Sequence, residues 1–77
     1  MNWNEKDKKL VKEFEFNNFV EAVTFVQAIV PLAEEAQHHP DIEIHSYNKV
    51  RISLTTHDVG NITEKDHALA TEIDSLL

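Results

Sequence analysis

Residues 41–54, DIEIHSYNKVRISL, decide the fold. Ile42 and Ile44 alternate with Glu43 and His45, and after a turn near Ser46 to Lys49 the residues Val50, Ile52 and Leu54 alternate with Arg51, Ser53 and Thr55. Side chains of a strand point alternately to its two faces, so this period predicts two half-buried strands. The short polar connection makes them antiparallel neighbours. One face of the resulting sheet is apolar and needs a cover.

Upstream, the cover is a helix. Asn18 is placed to cap it, with Glu21 three residues later as in a capping box. From there Phe19, Val23, Val26, Val30 and Ala33 recur at helical spacing to about Gln37. Pro31 lacks the N–H that would bond the carbonyl of Gln27, which predicts a kink or a break into two pieces. Pro40 ends the helix by forcing His39 into an extended conformation, leaving His38 close to the last turn. Further upstream, Trp3 to Glu5 and Leu10 to Phe16 flank the charged KDKK, and Phe14 and Phe16 alternate with Glu13 and Glu15, which predicts a first hairpin. Downstream, the loop HDVGN holds the single glycine, Thr63 caps a last helix with Asp66 three positions on, and Leu69, Ile73, Leu76 and Leu77 form its expected buried stripe. The order β-β-α-β-β-α predicts an α+β, two-layer fold: a four-stranded antiparallel sheet with its helices on one face. The 77 residues, with neither repeats nor linkers, read as one domain, 1–77.

Composition narrows the function. Seven Lys+Arg against fourteen Asp+Glu give a net charge of -7, which disfavours nucleic acid and anionic membranes as partners. With no cysteine, disulfides, thiolate metal sites and cysteine nucleophiles are excluded, and a reducing compartment is permitted. The opening MNWNEKDKKL has no apolar run of a signal peptide, so a soluble cytoplasmic protein is expected. A chain this short buries only about 60 % of its unfolded surface, which favours sharing core between copies.

The titratable residues concentrate around His38-His39-Pro40. Two adjacent imidazoles direct their rings apart, which argues against a metal site. A plainer role is to place partly cationic rings at a helix C-terminus. Asp66 is likewise accounted for by the Thr63 capping box, and Tyr47 by a half-buried sheet position; His45 and His67 are expected to face solvent.

Read outward, however, the chain runs Glu34, three residues, His38-His39-Pro40, six residues, Tyr47, nine residues, His57, eight residues, Asp66. This resembles the active-site signature of the pterin-4a-carbinolamine dehydratases, as do Trp3-Asn4-Glu5, Phe14-x-Phe16-x-x-Phe19, YNKVRISLTTHD and the closing TEKD. Many members carry a helix before the Trp-Asn segment, which this chain is expected to lack. Six spacers before Tyr47, where some members have five, imply a longer strand or a bulge.

The resemblance implies removal of water from a 4a-hydroxytetrahydropterin to give the quinonoid dihydropterin, in recycling of tetrahydrobiopterin after an aromatic amino acid hydroxylase. It implies no metal or organic cofactor. His38 and His57 are then the proton-transfer pair, with His39 polarising the bound pterin; Glu34, Pro40, Tyr47 and Asp66 shape the site, and Glu34, at i,i+4, is placed to orient His38. A homodimer or homotetramer is expected. The alternative is a non-catalytic pterin-binding or protein-interaction module, since animal members also bind a homeodomain transcription factor.

Overall fold

A computed structural model describes residues 3–77. The chain forms β1 (Asn4–Lys6), β2 (Lys9–Glu15), α1 (Phe19–Ala36), β3 (Asp41–His45), β4 (Lys49–Leu54) and α2 (Glu64–Asp74). All strand pairs are antiparallel and the sheet order is β1-β2-β4-β3. Both hairpins turn on non-glycine residues in the left-handed region, Asp7 and Lys8 in the first, Ser46 and Tyr47 in the second. The β3–β4 register runs without interruption from Asp41↔Ser53 to His45↔Lys49, so the extra residue before Tyr47 makes no bulge within this ladder.

Register sorts the side chains onto two faces. Leu10, Phe14, Val50, Ile52 and Leu54 are buried together with Ala22, Phe25 and Ile29 of α1 and Leu69, Ala70 and Ile73 of α2. Phe25 joins the layers, its ring centroid 4.8 Å from Phe14 and 4.9 Å from Phe16. Trp3 packs edge-on to Phe14 and donates its indole N–H to Asp74 at 2.9 Å, and Lys12 reaches the other oxygen of Asp74 at 2.8 Å. The opposite face of the sheet is polar. There Arg51 bridges Glu43 and Glu13, and Glu13 also meets His45 Nε2 at 3.1 Å. That hydrogen bond, helped by the charges of His45, Arg51 and Lys49, holds the Glu13 carboxyl below its usual range despite slight desolvation.

Three expectations change. The buried stripe of α1 is Ala22, Phe25, Ile29 and Ala33, whereas Phe19 and Val30 are exposed. The segment is apolar over more than one face, so the period alone does not choose which face meets the sheet; the aromatic contacts of Phe25 do. Pro31 does not break α1, which is one helix from Phe19 to Ala36. The loss of one backbone bond is outweighed by burial of Ile29 and Ala33 on either side of it. Finally, α2 ends at Asp74, leaving Leu76 and Leu77 exposed, because Ser75 and the residues after it bond back within a last irregular turn.

Candidate functional site

The ends of three elements meet at one edge of the molecule. Helix α1 stops at Gln37, which adopts a left-handed conformation (φ 51°). Its N–H returns to the Glu34 carbonyl and that of His38 to the Ala33 carbonyl, the pairing of a Schellman turn. Glycine usually occupies this position. Here the Gln37 side chain adds a second bond, of 2.7 Å, to the same Glu34 carbonyl, and so ties the left-handed residue to the last turn. Pro40 then holds His39, the residue before it, extended on the way into β3.

Because consecutive extended residues face opposite ways, the two adjacent histidines find different partners. His38 turns inward, its side chain 11 % exposed, and its Nε2 lies 2.5 Å from Oδ1 of Asp66. His39 turns outward, 60 % exposed, and its Nε2 lies 2.7 Å from Oε2 of Glu34. The expected Glu34–His38 pairing is therefore not made. The left-handed turn at Gln37 swings His38 away from the helical row in which i and i+4 meet, and His39 takes its place.

Asp66 is wholly buried, in the first turn of α2. It completes the Thr63 capping box, its Oδ2 accepting the Thr63 N–H at 2.9 Å, and its other oxygen faces His38. Capping thus occupies half of the carboxylate. Burial pushes its pKa up, but hydrogen bonds from His38, the Thr63 N–H and the Thr56 hydroxyl outweigh that, so the carboxyl titrates below its usual value. An ionised carboxylate only accepts, so the shared proton sits on His38 Nε2 and leaves Nδ1 as the ring nitrogen open to a ligand.

His57 follows β4 in a loop closed on Thr56: the Thr56 N–H bonds the Asn61 carbonyl, and its own carbonyl accepts from Val59 and Gly60. Gly60, at φ 64°, makes the return. The His57 ring is exposed and makes no hydrogen bond among the described residues. Together His38, His39, Pro40, Asp41, Thr56, His57, Asp58 and Lys65 line a cleft of about 390 Å³, a size suited to a small molecule. A more apolar groove of about 310 Å³ lies elsewhere, between Phe16, Phe25, Leu76 and Leu77. It contains no histidine, and Glu21 is its single ionisable side chain, so paired acid/base chemistry has no place there.

Of the predicted site residues, Glu34, Asp66 and Tyr47 do not line the cleft; the first two bond its histidines, whereas Tyr47 is remote from them. Tyr47 is at the tip of the β3–β4 turn, the end of β3 remote from Pro40, and is 63 % exposed, not half-buried. Its left-handed backbone in the turn carries it off the sheet face. His45 is not free in solvent either, since Glu13 and Ser46 flank its ring on the polar face. His67 is exposed as expected. Sequence reasoning missed Gln37, Asp41, Thr56, Asp58 and Lys65 in the lining; of these Thr56 is buried, 7 % exposed, and bonded to both Thr63 and Asp66. A signal existed. Val50, Ile52 and Leu54 point inward, so the same parity places position 56 inward, where a hydroxyl requires a partner.

The family model described as "Pterin 4 alpha carbinolamine dehydratase" matches residues 1–76. A protein of Picosynechococcus sp. named "Putative pterin-4-alpha-carbinolamine dehydratase" is 54 % identical over 74 residues, covering 96 % of this chain and 79 % of its own. One of the same name from Sulfolobus acidocaldarius is 46 % identical over 74 residues, covering 96 % and 80 %. Among solved structures, a transcriptional coactivator/pterin dehydratase from Brucella melitensis superposes with a TM-score of 0.87 at 29 % identity, over 95 % of this chain and 79 % of that one. A pterin dehydratase-like protein identified as a RuBisCO assembly factor in the alpha-carboxysome gives 0.80 at 29 % identity, over 99 % and 89 %.

Proposed function

The chain belongs to the pterin-4a-carbinolamine dehydratase family, and from that premise we propose that it dehydrates a 4a-hydroxytetrahydropterin to the quinonoid dihydropterin by histidine acid/base catalysis. The observation that carries the reading is the convergence of His38, backed by the buried Asp66, with His39 and His57 on one cleft.

The reaction breaks the C4a–O bond, sends the hydroxyl away as water and removes the proton on N5. Two proton transfers are needed, and imidazole, with an ordinary pKa of about 6.5, suits both. His38 takes the N5 proton on Nδ1, and the Asp66 carboxylate stabilises the imidazolium that forms. His57, in contact with solvent, delivers a proton to the leaving hydroxyl and is recharged from water. His39, oriented by Glu34, polarises the pterin ring, and Pro40 and Asp41 form the wall beside it. Tyr47, in the turn beyond β3, is not among the residues lining this cleft, and its contribution comes through assembly. Exposed Phe19, Val20 and Val30 support a homodimer or homotetramer, which a light-scattering mass equal to one chain would sink. Among the described residues no helix is long and apolar enough to cross a membrane. A cytoplasmic setting beside an aromatic amino acid hydroxylase is part of the proposal.

The test is the dehydration rate of freshly generated 4a-hydroxytetrahydropterin, followed by ultraviolet absorbance, with the wild type, His38→Ala and His57→Ala. The expected result is acceleration that collapses in both variants. The likeness to a RuBisCO assembly factor supports a second reading, a non-catalytic pterin-binding or interaction module. Binding of a pterin analogue without any acceleration by the wild type selects it.

A further inference from the structure

We propose that the Thr56 hydroxyl is a positioning group for His38, acting through Asp66, and that it joins the N-cap of α2 to the proton-transfer site. The inference rests on the reading of His38 as a proton-transfer residue. It starts from a buried hydroxyl that packing does not demand, since an apolar side chain would serve the core at position 56 as well.

Hydrogen-bond direction follows from what each group is able to do. Thr56 Oγ1 lies 2.8 Å from Oδ2 of Asp66 and 2.7 Å from Oγ1 of Thr63. The carboxylate only accepts, so the one Thr56 proton goes to Asp66, and Thr63 must donate its own proton to Thr56. The Thr63 oxygen in turn receives the Lys65 N–H at 3.3 Å, and an amide N–H only donates. Both ends of the chain are thereby fixed, and it runs one way: Lys65 N–H, Thr63 O–H, Thr56 O–H, Asp66. With the Thr63 N–H at 2.9 Å, Oδ2 has two donors, which leaves Oδ1 for His38. Thr56 also anchors the loop that carries His57, its immediate neighbour, through its backbone N–H and carbonyl. One residue therefore sets the position of both histidines.

Two consequences follow for removal of the hydroxyl in Thr56→Val. Asp66 loses a donor that favours its ionised form, so its carboxyl titrates higher. It also loses one of the contacts that orient it, so His38 is held less well while the cleft wall keeps its shape. His38 is the titratable group in contact with Asp66, and His39, His57, Asp58 and Lys65 line the cleft around the pair.

The experiment follows the Asp66 carboxyl by carbon-13 NMR titration, alongside dehydration kinetics, in the wild type, Thr56→Val, Thr56→Ala and Thr56→Ser. Expected are an upward shift of the Asp66 midpoint in the valine and alanine variants and its return in the serine variant. The turnover number should fall about tenfold with KM within about twofold, and recover with serine. An unmoved midpoint in both variants overturns the inference, as does a serine variant no better than valine, or an active enzyme whose turnover ignores the hydroxyl. An inactive wild type sinks the proposed reaction instead, while the titration still decides the link from Thr56 to Asp66. Should valine unfold the chain, alanine and serine carry the comparison.

Discussion

Replacing Asp66 by Asn keeps the size of the side chain and removes its charge, and the structure allows the cost to be worked out. The carboxylate accepts from His38, Thr56 and Thr63. An amide oxygen keeps the last two. The amide NH₂ then faces His38 Nε2, which has to become an acceptor, and the imidazole proton moves to Nδ1. Hydrogen bonds to a charged acceptor exceed neutral ones by roughly 1 kcal/mol each, about 3 kcal/mol for three, and relief of the buried charge returns part of that. A net loss of about 1–2 kcal/mol remains, or a fall in Tm of about 5–15 °C for a domain of this size. Asp66→Ala, which orphans all three donors, costs about 3–5 kcal/mol. The pH dependence has a definite sign. Because the folded-state pKa of Asp66 lies below its ordinary 3.8, its contribution is fully present above that value and is lost as pH falls through the folded pKa. Thermal unfolding by circular dichroism should therefore show a gap between wild type and Asp66→Asn at neutral pH that narrows below 3.8. An Asn variant as stable as wild type at neutral pH, or a gap that persists in acid, refutes the reasoning.

Other perturbations test the frame around the site. Ile29→Ala, at a position with no exposure in the middle of α1, should cost about 2–5 kcal/mol, read from the midpoint of urea unfolding. Pro31→Ala restores the N–H facing Gln27 and should raise stability by about 1–2 kcal/mol in the same assay; a loss instead would mean that α1 is shaped around its proline. Lys12→Met leaves the Asp74 carboxylate, among the described residues, with only the Trp3 N–H, so it should lower stability by about 1 kcal/mol and shift the tryptophan emission; unchanged emission would show that the Lys12–Asp74 pair does not hold the indole.

Much of this architecture was legible because strand alternation is unambiguous where polar and apolar residues strictly exchange, as from Ile42 to Leu54. The rotation of α1 was not, since Phe19, Val23 and Val30 make as plausible a stripe as Ala22, Phe25 and Ile29 until the sheet supplies partners. Local motifs had the same limit. The i,i+4 relation between Glu34 and His38 holds only while the helix continues, and a left-handed residue at Gln37 redirects the pairing to His39. The capping box at Thr63 accounted for Asp66 from four residues of sequence, yet the carboxylate's other oxygen answers a histidine 28 residues away. Spacing identifies which residues can matter, whereas partners distant in sequence are settled by the register of β2 on β4 and the packing of α2.

The order of elements along the chain also bears on how the protein is made. The central ladder pairs Leu10 with Leu54, so the first hairpin leaves the ribosome with its apolar face uncovered and waits for most of the chain. Helix α2 follows β4, and brings both the lid over that core and the acid that holds His38. A chain in which α2 has not yet docked therefore lacks both the cover and the carboxylate that meets His38, and is open to proteases. The cover of the core and the Asp66–His38 contact are thus acquired in a single step, when α2 docks.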